Sequence, residues 1–425
     1  MRTNQFFAAV SGMLVLCSGG PAQAAGFYLP EVGTPGSVGT AGVINPTNSH
    51  GPDSVLTNPA GMVWMDERAM TLGLMGLFPS MEFDPDIAEA GGSDGGNAGG
   101  TAIVPSLFAS RRFTDRWAIG VGLAAPQGGG VDYGSDFAGR YGATKVELLA
   151  FGLTTALGYR VTDRLSLGAG ATIIKTTLNQ NIAINFANAD DGIVKIKDAE
   201  DWGVQPYAGL QYHFTDSIVL GLVYRAEFDA ELEGDVKLRN LPIPAGLDSD
   251  IEVDWTNPQW AEAGLRFGSP EDVGWGFAVS GGWQEWSKFS DNQLSVDGFL
   301  DGGDGGVSTI DRKWDDTWYA GVAAFRNTGK YVMSLGVLYD SSPVEDEHRT
   351  IDFPVDETYK VSAAFGWRGK GIASYSIGAT LYLFGDSKID QTAQGVRFAG
   401  EFDPNAILFL SGSVRLNPHR RKSAF

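Results

Sequence analysis

The chain is poor in cysteine and histidine, and this limits the chemistry that it can support. It has one cysteine, Cys17, and four histidines among 425 residues. We expect residue 17 to be removed with an export signal, and a mature chain without cysteine excludes disulfides and cysteine-ligated metals. No two histidines stand at a spacing typical of metal ligands. No catalytic set stands out either, so we expect no enzyme activity, no metal and no cofactor.

Long apolar runs are also missing. After the first 25 residues no stretch has 18 consecutive apolar positions, which excludes an ordinary transmembrane helix. Basic residues are outnumbered by acidic ones, 31 against 51, and the formal net charge is −20. A chain this acidic is a poor partner for nucleic acid. Membrane-spanning strands remain possible, because they alternate apolar and polar residues and hide the signal from a hydropathy window.

The N-terminus has the features of a signal peptide. Arg2 supplies a positive charge, residues 6–17 are mostly apolar, and Ala22-Gln23-Ala24 is an A-x-A cleavage site. We therefore predict that residues 1–24 are a signal peptide and that the mature chain begins at Ala25. Leu16 is not the small residue that a lipoprotein needs before its cysteine, so we expect no lipid anchor.

From about Met70 onward, apolar and small or polar residues alternate with period two. One face of the segment 149–159 is apolar, and the other carries Ala, Gly and Thr. Segment 359–368 repeats the pattern, with Tyr359 and Phe365 on one face and Lys360 and Arg368 on the other. Strict alternation of this kind is typical of strands that face lipid on one side.

Tight turns alternate with longer loops rich in Gly and Asp, as the two ends of an outer-membrane barrel require. Counting between turns predicts fourteen strands, each long enough to span a bilayer: 66–82, 101–113, 117–133, 145–161, 164–180, 200–214, 218–234, 251–267, 274–288, 312–326, 330–340, 356–368, 372–385 and 406–417. An even number closes the sheet without an edge. We therefore predict an all-β fold, in which residues 66–425 form a 14-stranded antiparallel transmembrane β-barrel in a bacterial outer membrane.

Residues 25–65 do not alternate and are rich in Gly and Pro. They form either a disordered tail or a structure inside the lumen. A 14-stranded barrel is too wide for its own side chains to fill. We therefore predict that this segment is an N-terminal plug, or hatch.

Several segments resemble the outer-membrane long-chain fatty-acid transporter family, of the OmpP1/FadL/TodX type. They occur in the family's order along the mature chain: Asp53–Met62, Gly139-Arg140-Tyr141, Asn257–Trp260, Trp283–Ser287 and Tyr339–Pro343. The resemblance implies passive uptake of hydrophobic compounds, most simply long-chain fatty acids. Substrate would be captured at outer loops, held in a pocket gated by the plug, and released sideways through a break in the third strand.

The third strand carries Pro126 and the glycines Gly128, Gly129 and Gly130. Proline donates no ladder hydrogen bond and glycine packs nothing, so we expect pairing to fail here. From the residues alone, a functional gap and a harmless irregularity look alike. Two other functions stay open beside fatty-acid uptake: transport of aromatic hydrocarbons, and general diffusion of hydrophilic solutes through a porin, which would need no plug.

A fatty acid needs an apolar slot and a donor for its carboxylate, and a cation makes the strongest such bond. The candidate ligand-binding residues are Phe27, Arg140, Lys145, Arg225 and Lys360. The inward cations could instead pair with Glu227, Asp229 or Glu262. The candidate gate is Asn58, Pro59 and Ala60, with Asn58 held extended before the proline. We hypothesise that this turn lies beside the strand-three break.

Two features depart from the family pattern. The third outer loop, residues 181–199, is short, so a capture groove could be reduced. A basic tail follows the last strand, where the family ends in an aromatic residue. The expected partners are a hydrophobic small molecule, outer-membrane lipid and lipopolysaccharide, and the barrel assembly machinery. We expect a monomer.

Overall fold

The structure is a computed structural model that describes residues 31–186, 190–240, 247–289, 291–296, 306–369 and 371–417. The predicted signal peptide 1–24, the candidate ligand residue Phe27 and the basic tail beyond residue 417 lie outside the described residues. Within these ranges, no helix is long and apolar enough to cross a membrane.

Most of the described chain is strand, and most of its few helical residues lie in residues 31–65. In order, the strands are β1 Arg68–Ala88, β2 Ala102–Arg112, β3 Trp117–Asp132, β4 Lys145–Arg160, β5 Leu165–Ile184, β6 Gly192–His213, β7 Ile218–Arg225, β8 Phe228–Arg239, β9 Leu247–Asn257, β10 Trp260–Phe267, β11 Gly274–Gln284, β12 Asp291–Val296, β13 Gly306–Asp311, β14 Thr317–Asn327, β15 Tyr331–Asp340, β16 Thr358–Arg368, β17 Ala373–Phe384, β18 Ile389–Ala393 and β19 Val396–Leu416.

Fourteen of these strands close a ring, and every neighbouring pair in it is antiparallel. The order is β1-β2-β3-β4-β5-β6-β7-β10-β11-β14-β15-β16-β17-β19. The last strand returns to the first, with Met70 opposite Leu416. The predicted 14-stranded barrel is confirmed. The other strands extend the barrel wall at the end that carries the long loops. There, β8 continues in the direction of β7, and β9 leads into β10.

Several predicted boundaries are wrong, and three of the differences have a clear physical reason. The predicted strands 218–234 and 251–267 are each interrupted, after Arg225 and at Pro258-Gln259, where the ladder breaks. The predicted loop 181–199 is mostly strand, because β5 and β6 continue to pair up to Ile184 and Gly192. Isoleucine and valine on both sides favour this extension.

The alternation places apolar side chains on the outside of the barrel. Leu153, Leu157 and Ile173 are exposed, whereas their neighbours Thr154, Ala156 and Thr172 point inward and are buried. Exposed Trp117, Trp202, Trp275 and Tyr331 belong to the same surface. An apolar outer band with aromatic side chains is what a bilayer requires.

The interior contains large buried apolar clusters beside its polar side chains. The largest buried cluster lies toward the long loops and joins side chains of the strands and of those loops. Its aromatic members are Phe83, Tyr133, Phe137, Phe228, Trp255, Trp286, Phe289, Trp314, Phe353, Phe398 and Phe402.

Residues 31–65 lie inside the barrel, and nearly all of them are buried. They form two short helices, Pro35–Val38 and Ser54–Thr57, and two 3₁₀ helices, Asn45–Thr47 and Pro59–Trp64. Wall side chains hydrogen-bond to the segment: Ser166 Oγ donates to the Ala60 carbonyl at 2.8 Å, and Thr380 Oγ1 to the Val38 carbonyl at 3.1 Å. We keep the name plug for this segment.

The plug lies against bare backbone on the inner wall. Wall glycines face it where a side chain would collide with it, and they come from strands around the whole circumference: Gly73, Gly120, Gly158, Gly168, Gly209, Gly221, Gly321, Gly336 and Gly378. Without a Cβ, each lets a plug atom approach the strand closely. The small inward residues in the strand pattern therefore make room for the plug against the inner wall.

Gly221→Ala tests this seat. The added methyl group would collide with the Pro46 carbonyl, so we expect the plug to be displaced locally while the barrel still closes. Planar-bilayer recordings should show a larger ion conductance, and protease should cut within residues 31–65 more readily.

The matched control is Gly412→Ala on β19, where the nearest neighbouring atom would lie at 4.0 Å. It should behave as the unchanged protein. Equal conductance of the two variants would contradict a tight plug.

Candidate functional site

The wall of the barrel is incomplete between β2 and β3. These strands pair only from Leu107 opposite Leu123 to Arg112 opposite Ala118. Beyond that point residues 102–106 of β2 pair only with β1, and residues 124–132 of β3 pair only with β4. Two strand edges therefore face each other without ladder hydrogen bonds. We call this the β2–β3 gap.

A β-bulge lies at the same place in β3. Ala124 is opposite Gly152 and Gln127 is opposite Ala150, so Ala125 and Pro126 together oppose one residue of β4. The expectation that pairing fails throughout 126–130 needs correction. Gly128, Gly129 and Gly130 keep their partners on β4, because glycine retains its N–H. Pairing is lost on the β2 side, where β2 contributes a second proline, Pro105.

Apolar side chains line the lumen beside the gap. A buried cluster joins Val38 of the plug with Met75, Leu77, Val104, Ala125, Tyr382, Ile407 and Phe409 of the wall. Lipid-like material inside the barrel would meet a continuous apolar surface here rather than water.

A small cavity lies behind the bulge. Its volume is about 20 Å³. The plug contributes Val32, Asn45, Leu56 and Thr57, and the wall contributes Pro126, Gln127, Thr172, Ile174, Gln205, Arg225, Asn257, Trp260 and Glu262. The strand-three bulge, the plug and a buried cation therefore meet at one point.

Arg225 is held in a row of three strands. Tyr207 of β6 and Trp260 of β10 are its direct cross-strand neighbours. The guanidinium carbon lies 4.4 Å from the centre of the Tyr207 ring and 5.0 Å from that of Trp260. The guanidinium donates a hydrogen bond to the Leu56 carbonyl, and Tyr207 donates one to the Val55 carbonyl. Two neighbouring wall side chains, Arg225 and Tyr207, thus bind the carbonyls of two successive plug residues.

The alternative that Arg225 pairs with Glu227 or Asp229 is wrong. The strand breaks after Arg225, so the cation points inward and is buried while both carboxylates are exposed. Glu262 does line the same cavity, but its carboxylate accepts a hydrogen bond from the Tyr319 hydroxyl at 2.9 Å.

Lys360 belongs to a second cavity, of about 70 Å³, nearer the long loops. Trp286, Trp314 and Tyr382 line it, and the ammonium lies 4.5 Å from the centre of the Tyr382 ring. The Tyr382 hydroxyl also donates to Glu31 of the plug. Burial raises the pKa of Glu31, although the nearby Lys360 charge opposes that rise. Lys360 therefore lies among aromatic rings and acidic side chains, since Asp340 and Asp356 line the same cavity.

Arg140 and Lys145 lie in the outer loops and at their rim. Arg140 donates to Asp191 at 2.7 Å and to the carbonyls of residues 90, 91 and 137, which joins three outer loops. Burial acts to raise the pKa of Asp191, but hydrogen bonds from Arg140 and Tyr141 hold it below its ordinary value. Lys145 lies 3.6 Å from Asp132 and 3.7 Å from Glu147. The predicted cations are therefore not brought together in one pocket.

Asn58 is extended before Pro59, at φ −155° and ψ 104°, as predicted. Its amide donates to the carbonyls of Pro46, Leu210 and Leu222 at 2.6, 3.2 and 3.3 Å. Asn58, Pro59 and Ala60 approach Gly158, Gly168 and Gly209, so they lie against β4 to β6. The expectation that this turn lies beside the strand-three break is wrong. The plug residues that line the cavity behind the bulge are Val32, Asn45, Leu56 and Thr57.

The sequence reasoning missed Tyr207 and Trp260. Each has an inward position in its strand, but only the register between strands places both beside Arg225. In the described part of the chain, no group of three or more His, Cys, Asp or Glu residues could hold a metal ion.

Arg140→Lys tests the link between the outer loops. Lysine keeps the charge but has no planar fork of donors, so it cannot bind the carboxylate and the three carbonyls together. We expect limited proteolysis near residues 90, 140 and 190 to become several-fold faster. Arg397→Lys, in an exposed pair with Asp390, is the control and should change little. Equal cleavage in both variants would mean that Arg140 does not order the loops.

The comparisons with known proteins agree with this architecture. A family model described as "Outer membrane protein transport protein (OMPP1/FadL/TodX)" matches residues 15–414. A long-chain fatty acid transport protein of Escherichia coli O6:H1 is 23% identical over 91% of this chain and 93% of its own length.

Two solved structures show the same fold. A Pseudomonas aeruginosa FadL homologue has a TM-score of 0.82 at 21% identity, covering 93% of this chain and 100% of the homologue. The Pseudomonas putida toluene transporter TodX has a TM-score of 0.72 at 17% identity, covering 92% of this chain and 100% of the transporter. The chain therefore belongs to the OMPP1/FadL/TodX family of outer-membrane transport proteins, which are channels for hydrophobic compounds rather than enzymes.

Proposed function

We propose that this protein takes up long-chain fatty acids passively across the outer membrane and releases them sideways through the β2–β3 gap. The observation that carries the proposal is the gap itself, which opens the wall where a buried apolar cluster meets the plug. Lipid cannot hydrogen-bond a strand edge, so an unpaired stretch in a barrel wall costs free energy. We therefore expect such a stretch to serve a function.

The chain is divided accordingly into a signal peptide 1–24, a plug 25–65 and the barrel 66–425. Outer loops ordered by Arg140 would receive the substrate. The apolar interior would conduct it toward the plug, and Arg225 and Lys360 would offer cations to its head group. Asn58, Pro59 and Ala60 would anchor the plug on β4 to β7. Contacts with lipopolysaccharide and the assembly machinery, and the monomeric state, stay predictions.

A general porin is less well supported. Porins keep a polar, water-filled passage, whereas here residues 31–65 are seated against strands around the whole wall.

Aromatic hydrocarbons are the closer alternative, because the structurally similar TodX is a toluene transporter. The buried cation Arg225 at the cavity behind the bulge favours a substrate with a carboxylate over a neutral one.

Regularising the gap should abolish uptake. Deleting Pro126 removes the extra residue of the bulge, and Pro105→Val restores a donor on β2, so the two edges can pair. Cells that lack their own fatty-acid transporters and express this variant should take up labelled oleate at background level. Heat-modifiable gel mobility should show a normally folded barrel.

The matched control deletes Asp198, the extra residue of the bulge between β5 and β6, which lies away from the gap. This deletion should leave uptake intact. A folded, regularised variant with unchanged uptake would refute lateral exit, while leaving the channel proposal in place.

Conductance separates the plugged channel from a porin. In planar bilayers the full-length protein should show no large, steady open level, because the plug lies across the lumen. Deletion of residues 31–65 should produce one. A large steady conductance in the unchanged protein would favour the porin.

A further inference from the structure

We propose that Arg68 and Arg111 form a binding site for one anionic phospholipid on the outside of the barrel. The site lies at the end with the tight turns, which faces the periplasm. The phosphate would lie between the two guanidinium groups, and the acyl chains would run along β1 to β3 toward the β2–β3 gap. The inference goes beyond the proposed function, because the site does not depend on what the channel carries.

The two arginines are direct cross-strand neighbours. Arg68 of β1 is opposite Arg111 of β2, and both side chains are exposed. In the adjacent pair the Arg112 N–H donates to the Glu67 carbonyl, so residues 68 and 111 form a pair without mutual hydrogen bonds. Side chains approach most closely in such pairs. Like charges directly opposite each other destabilise a sheet, and an anion bound between them would remove that cost.

Carboxylates of the protein leave this pair largely uncompensated. Among the residues that the structure describes, none forms an ion pair with Arg111. Arg68 has one such contact, at 3.4 Å, with its exposed chain neighbour Glu67, and exposed ion pairs contribute little. No other cross-strand pair in the described part of the fourteen-strand ring places two basic residues opposite each other. The arrangement is therefore specific to this part of the wall.

The surroundings of the pair are those of a membrane interface. The other outward positions of the three strands, up to the gap, are all apolar: Met70, Leu72, Leu74, Leu107, Ala109, Trp117, Ile119, Val121 and Leu123. Phe113 is exposed in the adjoining turn, and the ring centres of Trp117 and Tyr159 are 4.5 Å apart. Aromatic side chains of this kind mark the level of the lipid head groups. A soluble anion would use the arginines but not the apolar face beyond them, whereas a phospholipid would use both.

The distance to the gap fits the length of an acyl chain. Pairing of β2 with β3 ends at Leu107, and the strand from Arg111 to that point is about 13 Å long at about 3.3 Å per residue. One leaflet contributes about 15 Å of the hydrocarbon core. The chains of a lipid held at the arginines would therefore end beside the unpaired edges, where Ile103 is 68% exposed. The site would thus fix one lipid against the outer side of the gap.

The charges select the class of head group. Arginine binds phosphate oxygens through paired N–H groups, and these charge-assisted bonds are strong. An ethanolamine head group adds an ammonium, which the two arginines would repel and which no outward carboxylate on this part of the three strands would hold. A glycerol head group adds no charge. The site should therefore prefer phosphatidylglycerol to phosphatidylethanolamine.

Native mass spectrometry of the mature, full-length protein tests this preference. The protein is released from detergent that contains equal amounts of the two phospholipids with the same acyl chains. It should retain one phosphatidylglycerol with a preference of about tenfold, which corresponds to about 1.4 kcal/mol. The double variant Arg68→Gln/Arg111→Gln should lose the preference. Arg326→Gln is the matched control, since Arg326 is an exposed cation near the same end of the wall whose cross-strand neighbour is Trp275, and it should keep the preference.

Photo-crosslinking tests where the lipid lies. Phosphatidylglycerol with a diazirine near the end of one acyl chain should crosslink mainly to residues 103–109 and 119–123. These crosslinks should be lost in the double variant and kept in Arg326→Gln. Heat-modifiable gel mobility shows whether each variant is folded. If the double variant does not fold, Arg111→Gln alone takes its place and should lower the preference several-fold.

Four results would overturn the site. Three concern retention: equal retention of the two phospholipids, a preference that survives in the folded double variant, and the same loss of preference in Arg326→Gln. The fourth is a set of crosslinks spread evenly around the barrel, which would show ordinary surrounding lipid only. Oleate uptake, measured separately, decides the proposed function, so the two can fail independently.

Discussion

The bilayer core accepts no hydrogen bond from a backbone group, and the rest of this structure depends on that constraint. It requires the chain to close β19 onto β1, so that each strand of the ring has a partner on both sides. Under the same constraint, the unpaired strand edges of the β2–β3 gap are unusual. Prolines at Pro105 and Pro126 lower the number of unsatisfied donors there, and the apolar cluster inside the lumen lies directly behind them.

Closure creates a second constraint, because a ring of fourteen strands encloses more space than its own side chains fill. Residues 31–65 occupy that space with only short helices and turns, so several of their carbonyls need partners from the wall. Ser166, Tyr207, Arg225 and Thr380 supply donors, and wall glycines supply the room. One of these donors, Arg225, is a buried cation that lines the same small cavity as Pro126 of the bulge.

Much of the wall could be predicted from the residues, because period-two alternation and turn chemistry are local. The exceptions are positions where the ladder is interrupted. The break after Arg225 inverts the alternation, so the cation is buried while Glu227 and Asp229 are exposed. The extension of β5 and β6 depends on pairing between the two strands, and the residue pattern of neither segment predicts that pairing by itself.

The sequence by itself determined the class of the protein: an acidic, exported chain whose alternating segments close into an outer-membrane barrel, preceded by a segment that must fill it. Only the tertiary structure decided which residues meet. It placed Leu56 and Val32, rather than Asn58, behind the bulge at Pro126, and it placed Arg225 between Tyr207 and Trp260. The reason is that alternation specifies the face to which a side chain points, while strand register and the path of the plug specify its neighbours.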